Sequence, residues 1–114
     1  MRNTHALNKN YEFKRLYNKG KSAASGCVVV YCMKNNKAEN RLGITVSTKL
    51  GGAVQRNRIR RRLKEIYRIH EHTVHLGYNI VLVARQRSRV AGWNELESSV
   101  LHLFGKLGLT SSAV

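Results

Sequence analysis

Seven basic residues, Arg56, Arg58, Arg60, Arg61, Arg62, Lys64 and Arg68, crowd a short stretch that holds a single acid, Glu65. Guanidinium groups are planar forks of donors that match phosphate oxygens and also lie flat on bases, which an ammonium group cannot do. Asn57 adds a neutral donor and acceptor among them. The chemistry of such a run is the binding of a polyanion. If about six of these groups each met a phosphate, log affinity would fall against log salt with a slope near 5. The alternative is a solvated charged face, but adjacent Arg side chains repel one another and destabilise a helix unless a polyanion offsets them. Phe13 and Tyr17 form a second candidate group. They read either as core packing or as a platform on which unpaired bases stack, since aromatics serve that purpose where charge is close.

Catalytic chemistry has no such constellation. The six acids are all Glu, and only Glu95 and Glu97 are close in sequence; on a helix they point about 200° apart. No Cys–His or Ser–His–Asp arrangement suggests itself, and without Asp a carboxylate-held pair of metal ions is not expected. Gly51–Gly52 is too little for a nucleotide loop. Cys27 and Cys32 lie in a strand-like run at a spacing that sends them to opposite faces, as structural thiols rather than a pair or a metal knuckle. His70, His72 and His75 follow the basic run, where imidazole suits the negative end of a helix dipole, with no Cys or Asp near to complete a metal site. No catalytic residue, metal ligand or cofactor is expected in the chain itself.

The elements that position these groups follow from periodicity. In residues 53–70, Ile59, Leu63, Ile66 and Tyr67 share one stripe of a helix. Arg56, Asn57, Arg60, Arg61, Lys64 and Arg68 lie together on the flank beside it, while Arg58 and Arg62 project the other way. A short amphipathic helix is predicted over residues 8–20, with Asn8 or Asn10 as cap, a stripe of Phe13, Leu16 and Tyr17, and Gly20 as stop. Residues 27–34 and 41–47 read as strands joined by a polar turn, for which an antiparallel pair is the simplest arrangement. In the second of these Leu42, Ile44 and Val46 face inward. Lys49, Gly51 and Gly52 deliver the chain to the basic helix at a place suited to a phosphate. Residues 78–85, almost wholly apolar, read as a central strand. A last helix begins near residues 92–94 and runs to Lys106, with Leu96, Val100, Leu103, Phe104 and Leu107 as its stripe. The fold class is α+β, helices packed against one sheet.

With 114 residues and 42% hydrophobic content the chain reads as one domain, with residues 1–7 a loose basic arm and residues 108–114 a frayed tail. A net charge of +15 selects nucleic acid or an anionic membrane as partner. No apolar run approaches the ~18 residues of a membrane span, and the N-terminus lacks the apolar core of a signal peptide. These features point to a cytoplasmic protein that binds RNA or DNA. No paired helix-turn-helix pattern favours a DNA reader.

The stretch TKLGGAVQRNRIRRRLKEIYR resembles the protein subunit of bacterial ribonuclease P. That family's signature is an Arg-Asn-Arg helix, here Arg56, Asn57 and Arg58, entered through a Lys-x-x-Gly-x-Ala turn. The turn is represented by Lys49, Gly52 (one place off, within the glycine pair) and Ala53. Phe13 and Tyr17 before a Lys-Gly turn, the Val-rich strand with Tyr31, and the strands on either side of the basic helix follow the family's order, so the resemblance covers nearly the whole chain. It implies an α-β-β-β-α-β-α sandwich with a left-handed βαβ crossover, against the usual handedness. The fourth strand would come from a split of residues 22–34. The resemblance further implies a partner to a catalytic RNA, one protein per RNA, in an endoribonuclease that removes the 5′ leader of precursor tRNA. Mg²⁺ held by the RNA would do the chemistry, and no other protein partner is obligatory. Contacts to the catalytic RNA would come from Lys49, Arg56, Asn57, Arg60, Arg61, Lys64 and Arg68, with Arg58 less directly aimed; Phe13, Tyr17 and Tyr31 would line a leader cleft. A structural RNA-binding protein of ribosomal type is the competing reading.

Overall fold

The apolar run that ends at Ala84 lies at the centre of the sheet, as a strand without a polar face must. The structure, a computed structural model, describes residues 1–111. Its strands are β1 (Thr4–Ala6), β2 (Lys21–Ala24), β3 (Val28–Lys34), β4 (Asn40–Thr45) and β5 (Tyr78–Ala84), in the order β1-β4-β5-β3-β2. Its α-helices are α1 (Asn10–Lys19), α2 (Ala53–His70) and α3 (Trp93–Lys106). β5 pairs antiparallel with β3 and parallel with β4, so α2 forms the crossover of a βαβ unit. The α+β class and the split of residues 22–34 into two strands, β2 and β3, are as the sequence and the resemblance imply.

Alternation along the strands separates two cores. Val28, Val30, Cys32, Ile80 and Leu82 point to α2 and α3, where Ile59, Leu63, Ile66 and Tyr67 meet Leu96, Val100, Leu103 and Phe104. Each of these large apolar side chains contributes about 1.5–3 kcal/mol by leaving water. The rings of Tyr67 and Phe104 meet edge to face, with centroids 6.2 Å apart. On the opposite face α1 alone packs, burying Leu16 against Leu7 and Val81. The expected sandwich is thus made by α2 and α3, and α1 adds a partial third layer that leaves part of its face open.

Four expectations are corrected. β3 and β4 do not pair; β5 lies between them, and the polar turn connects strands that are not neighbours. Residues 1–7 are not a loose arm throughout: β1 pairs in parallel with β4, and Leu7 is buried with its N–H bonded to the Leu42 carbonyl. Helix α1 is preceded by Lys9, with no side-chain cap from Asn8 or Asn10. Cys27 precedes β3 and is buried in the same cluster as Cys32, so strand alternation does not divide the two. At the far end, Leu109 is fully buried and Thr110 bridges Val74, so the expected tail is held in place at its start. Its last part, residues 112–114, lies outside the described residues.

Candidate nucleic-acid interface

The turn before α2 is built around Gly51. Its φ of 128° lies where an L side chain is strained, and a Cβ there would come within 2.2 Å of the Gln55 side chain. Gly52, the glycine of the expected signature, has φ −73° and open space around it. The conformational demand therefore falls on Gly51. The Gly51 carbonyl accepts a hydrogen bond from Arg56 Nε at 3.1 Å, which fixes that guanidinium beside the turn, and Lys49, two residues before Gly51, is exposed.

Along the exposed flank of α2, Arg60 donates to Asn57 Oδ1 at 3.1 Å, leaving the Asn57 amide nitrogen free to donate. Arg58, Arg61 and Lys64 are exposed and make no hydrogen bond or ion pair among the described residues. Arg68 belongs to the same flank but is paired: its guanidinium donates twice to Glu65, at 2.6 and 2.9 Å. That hydrogen bond holds the Glu65 carboxyl below the usual carboxylate range. Arg62 turns away, as its position on the helix requires, and donates to the Ala91 carbonyl at 2.8 Å. Burial, with Arg58 nearby, lowers its pKa. So Arg62 ties α2 to the segment before α3, and the cations of α2 without a partner among the described residues are Arg58, Arg61 and Lys64.

The three aromatic residues meet on the open face of the sheet. Tyr17 and Tyr31 touch edge to face with centroids 4.9 Å apart, and Phe13 lies 6.4 Å from Tyr17. Phe13 rests on Gly43, where a Cβ would stand only 2.6 Å from the ring. Tyr17 stays 41% exposed, which suits it to present a ring face to a ligand, and its hydroxyl lies 3.4 Å from Thr45 Oγ1. Gly43 and Thr45 are not among the residues that the sequence singles out, although an isolated glycine inside a strand signals close approach of another group. Phe13 also lines a concavity of about 420 Å³ at the edge of β4, shared with Arg60 and Lys64 of α2. Phe13, at one end of the aromatic group, therefore opens onto the same space as the cationic flank, whereas Tyr17 and Tyr31 do not line it.

A buried polar chain sets the position of α2 against the strands. Asn40 Nδ2 donates to the Tyr67 hydroxyl at 3.3 Å, Tyr67 lies 2.9 Å from Thr4 Oγ1, and Thr4 donates to Glu71. Burial raises the Tyr67 pKa. Burial also acts to raise Glu71, but hydrogen bonds from the Thr4 hydroxyl and the N–H groups of Arg2 and Asn3 outweigh it and leave the carboxyl lowered. The thiols of Cys27 and Cys32 are raised, chiefly by burial, which removes nucleophilic character at neutral pH. His70, His72 and His75 line one concavity, as their spacing suggests, and His70 and His75 make separate contacts: His70 meets Glu97 at 2.8 Å, and His75 lies 3.4 Å from Ser111 Oγ. Among the described residues no group of three or more His, Cys, Asp or Glu is placed to hold a metal ion, and no helix is long and apolar enough to cross a membrane.

The family model for ribonuclease P matches residues 1–108. The chain belongs to the ribonuclease P protein family. The ribonuclease P protein component of Alkaliphilus oremlandii is 41% identical over 114 residues, covering 100% of both chains. Among solved structures, the ribonuclease P protein of Staphylococcus aureus superposes with a TM-score of 0.86 at 34% identity, over 94% of this chain and 98% of that one. The protein from Thermotoga maritima gives 0.79 at 27% identity, over 86% and 93%. Membership makes the chain a protein component of the ribonuclease P holoenzyme, a tRNA-processing ribonuclease with an RNA subunit as partner.

Proposed function

We propose that the chain docks on the catalytic RNA of ribonuclease P through the flank of α2 and holds the 5′ leader of precursor tRNA on Phe13, Tyr17 and Tyr31. The observation that carries this reading is the shared opening between Phe13 and the cations Arg60 and Lys64. It lets one RNA backbone pass from the stacking rings to the basic helix. Arg61 and Lys64, free of protein partners, supply the phosphate contacts, with Arg56 and the Asn57–Arg60 pair held ready beside them. Lys49 stands at the entry to the helix, Arg58 reaches a neighbouring segment of RNA, and Arg68 joins by exchanging or sharing its Glu65 partner.

In this reading hydrolysis belongs to the RNA and its Mg²⁺ ions, and the chain supplies no catalytic group. One protein serves one RNA, in the cytoplasm. The protein offsets phosphate repulsion between catalytic RNA and substrate, so its effect is greatest when Mg²⁺ is scarce. Adding the chain to a ribonuclease P RNA at low Mg²⁺ is expected to restore leader removal from precursor tRNA. Tight RNA binding without restored cleavage would instead indicate a structural RNA-binding protein of ribosomal type.

A further inference from the structure

Helix α1 crosses the open sheet face and divides it. Phe13 and Tyr17 look to one side; on the other, α1 and the connection between β3 and β4 enclose a second pocket of about 310 Å³. Tyr11, 66% exposed, forms one wall, and Arg15, Lys34, Lys37 and Arg41 supply positive charge against one carboxylate in the lining, Glu12. Arg41 Nε is buried and has no hydrogen-bond partner among the described residues. Its closest carboxylate oxygen, on Glu39, is 3.9 Å away, and the contact from Arg41 Nη1 to Glu12 is 3.7 Å; both exceed hydrogen-bond length. Asn79 accepts from Asn35 through its oxygen, leaving its amide nitrogen without an acceptor. The pocket thus combines an exposed ring, a cationic rim and two unmet donors.

We propose that this pocket receives one nucleotide from the distal part of the 5′ leader, as a second subsite beyond the aromatic stack. The proposal rests on the reading that the leader lies on Phe13, Tyr17 and Tyr31. The Tyr11 ring stacks on the base, as aromatics in single-strand binders do. Arg15 and Lys34 meet its phosphate, which Glu12 keeps away from Arg41. Arg41 Nε and the Asn79 amide donate to the base or ribose oxygens, which for Arg41 Nε meets the need of a buried donor for an acceptor. An aromatic wall suits an unpaired base and not a duplex, and the pocket shares its sheet face with the stack, opposite α2 and α3. Both facts select the leader over the catalytic RNA. Tyr11 and Tyr17 are separated by about 9 Å of helix, at 1.5 Å per residue, so only a leader long enough to cross α1 fills both places.

The test is binding of precursor tRNAs, with leaders lengthened one nucleotide at a time, to the reconstituted holoenzyme. Wild-type affinity is expected to rise in two steps. Tyr11→Ala and Arg15→Ala remove the second step, by about fivefold or more, the lower end of what stacking one base contributes, and leave the first intact. Tyr17→Ala removes the first. Lys34→Ala provides an independent variant, and unchanged thermal melting confirms that each is folded. Equal losses for every leader length and for mature tRNA, or no loss in the pocket variants while Tyr17→Ala keeps its effect, would overturn the subsite. Absence of any leader effect for Tyr17→Ala would overturn the underlying leader reading.

Discussion

Arg60 and Arg61 are neighbours in sequence with different surroundings: Arg60 is braced by Asn57, whereas Arg61 has no partner among the described residues. Neither holds the core together. Replacing both with Ala is expected to weaken binding to the RNA subunit and to reduce the salt slope by about 2, close to 0.9 for each phosphate left without its cation. The melting temperature should hardly move; titrations at several salt concentrations beside a thermal melt check both. Gly43 carries the opposite kind of prediction. A methyl group there must displace Phe13, so Gly43→Ala is expected to cost about 1–3 kcal/mol, as overpacking does. It should also lessen the preference for precursor over mature tRNA; denaturant unfolding and competition binding report the two effects. At this scale the cationic flank is legible in the sequence, because helical spacing alone sets it. The commitment of Arg56 to a turn carbonyl is not, since it depends on the backbone path at Gly51. The Arg68–Glu65 pair follows a spacing visible in the sequence, although Arg68 reads there as an RNA contact without it.

Among the elements, β1 and α2 are the pair whose relation matters most. Three residues of strand carry no usable periodicity, so β1 is not legible from sequence; what holds it is the ladder to β4 and the chain of hydroxyls from Thr4 through Tyr67. Tyr67→Phe keeps the ring on Phe104 and removes the hydroxyl, so that Asn40 Nδ2 retains only its bond to the His75 carbonyl and Thr4 Oγ1 only its bond to Glu71. A loss of about 0.5–1.5 kcal/mol is expected for each hydrogen bond removed, measurable by chemical denaturation. Glu71 adds a pH dependence. Its carboxyl is lowered in the folded state, so the stability it contributes is complete above the unfolded carboxylate pKa and is lost as pH falls through the lower, folded value. Acid unfolding followed by circular dichroism should therefore shift to higher pH in Glu71→Gln, whose side chain does not titrate. The pairing expected between β3 and β4 fails for a related reason. A short polar turn resembles a hairpin locally, and only the almost wholly apolar character of β5 hints at a strand inserted between them.

For the whole molecule, a charge of +15 on 114 residues is a standing repulsion that folding must overcome. Screening by salt, or binding of an anion to the native state, reduces it. The melting temperature is therefore expected to rise with sulfate concentration, more steeply than with chloride at equal ionic strength if sulfate occupies phosphate positions. The fold places the two groups proposed to bind RNA on different elements, the cations on α2 and the rings on α1 and β3, which share space where Phe13 nears Arg60 and Lys64. That separation predicts separable functions. The most direct measurement is the affinity of the reconstituted holoenzyme for precursor and for mature tRNA, set beside the affinity of the protein for its RNA subunit. Tyr17→Ala should lower the preference for precursor by about 1–3 kcal/mol, the worth of one stacked base, with RNA-subunit affinity unchanged. Arg60→Ala with Arg61→Ala should lower RNA-subunit affinity and leave the preference intact. Equal losses of precursor and mature tRNA binding in Tyr17→Ala would contradict a leader-binding face on this protein.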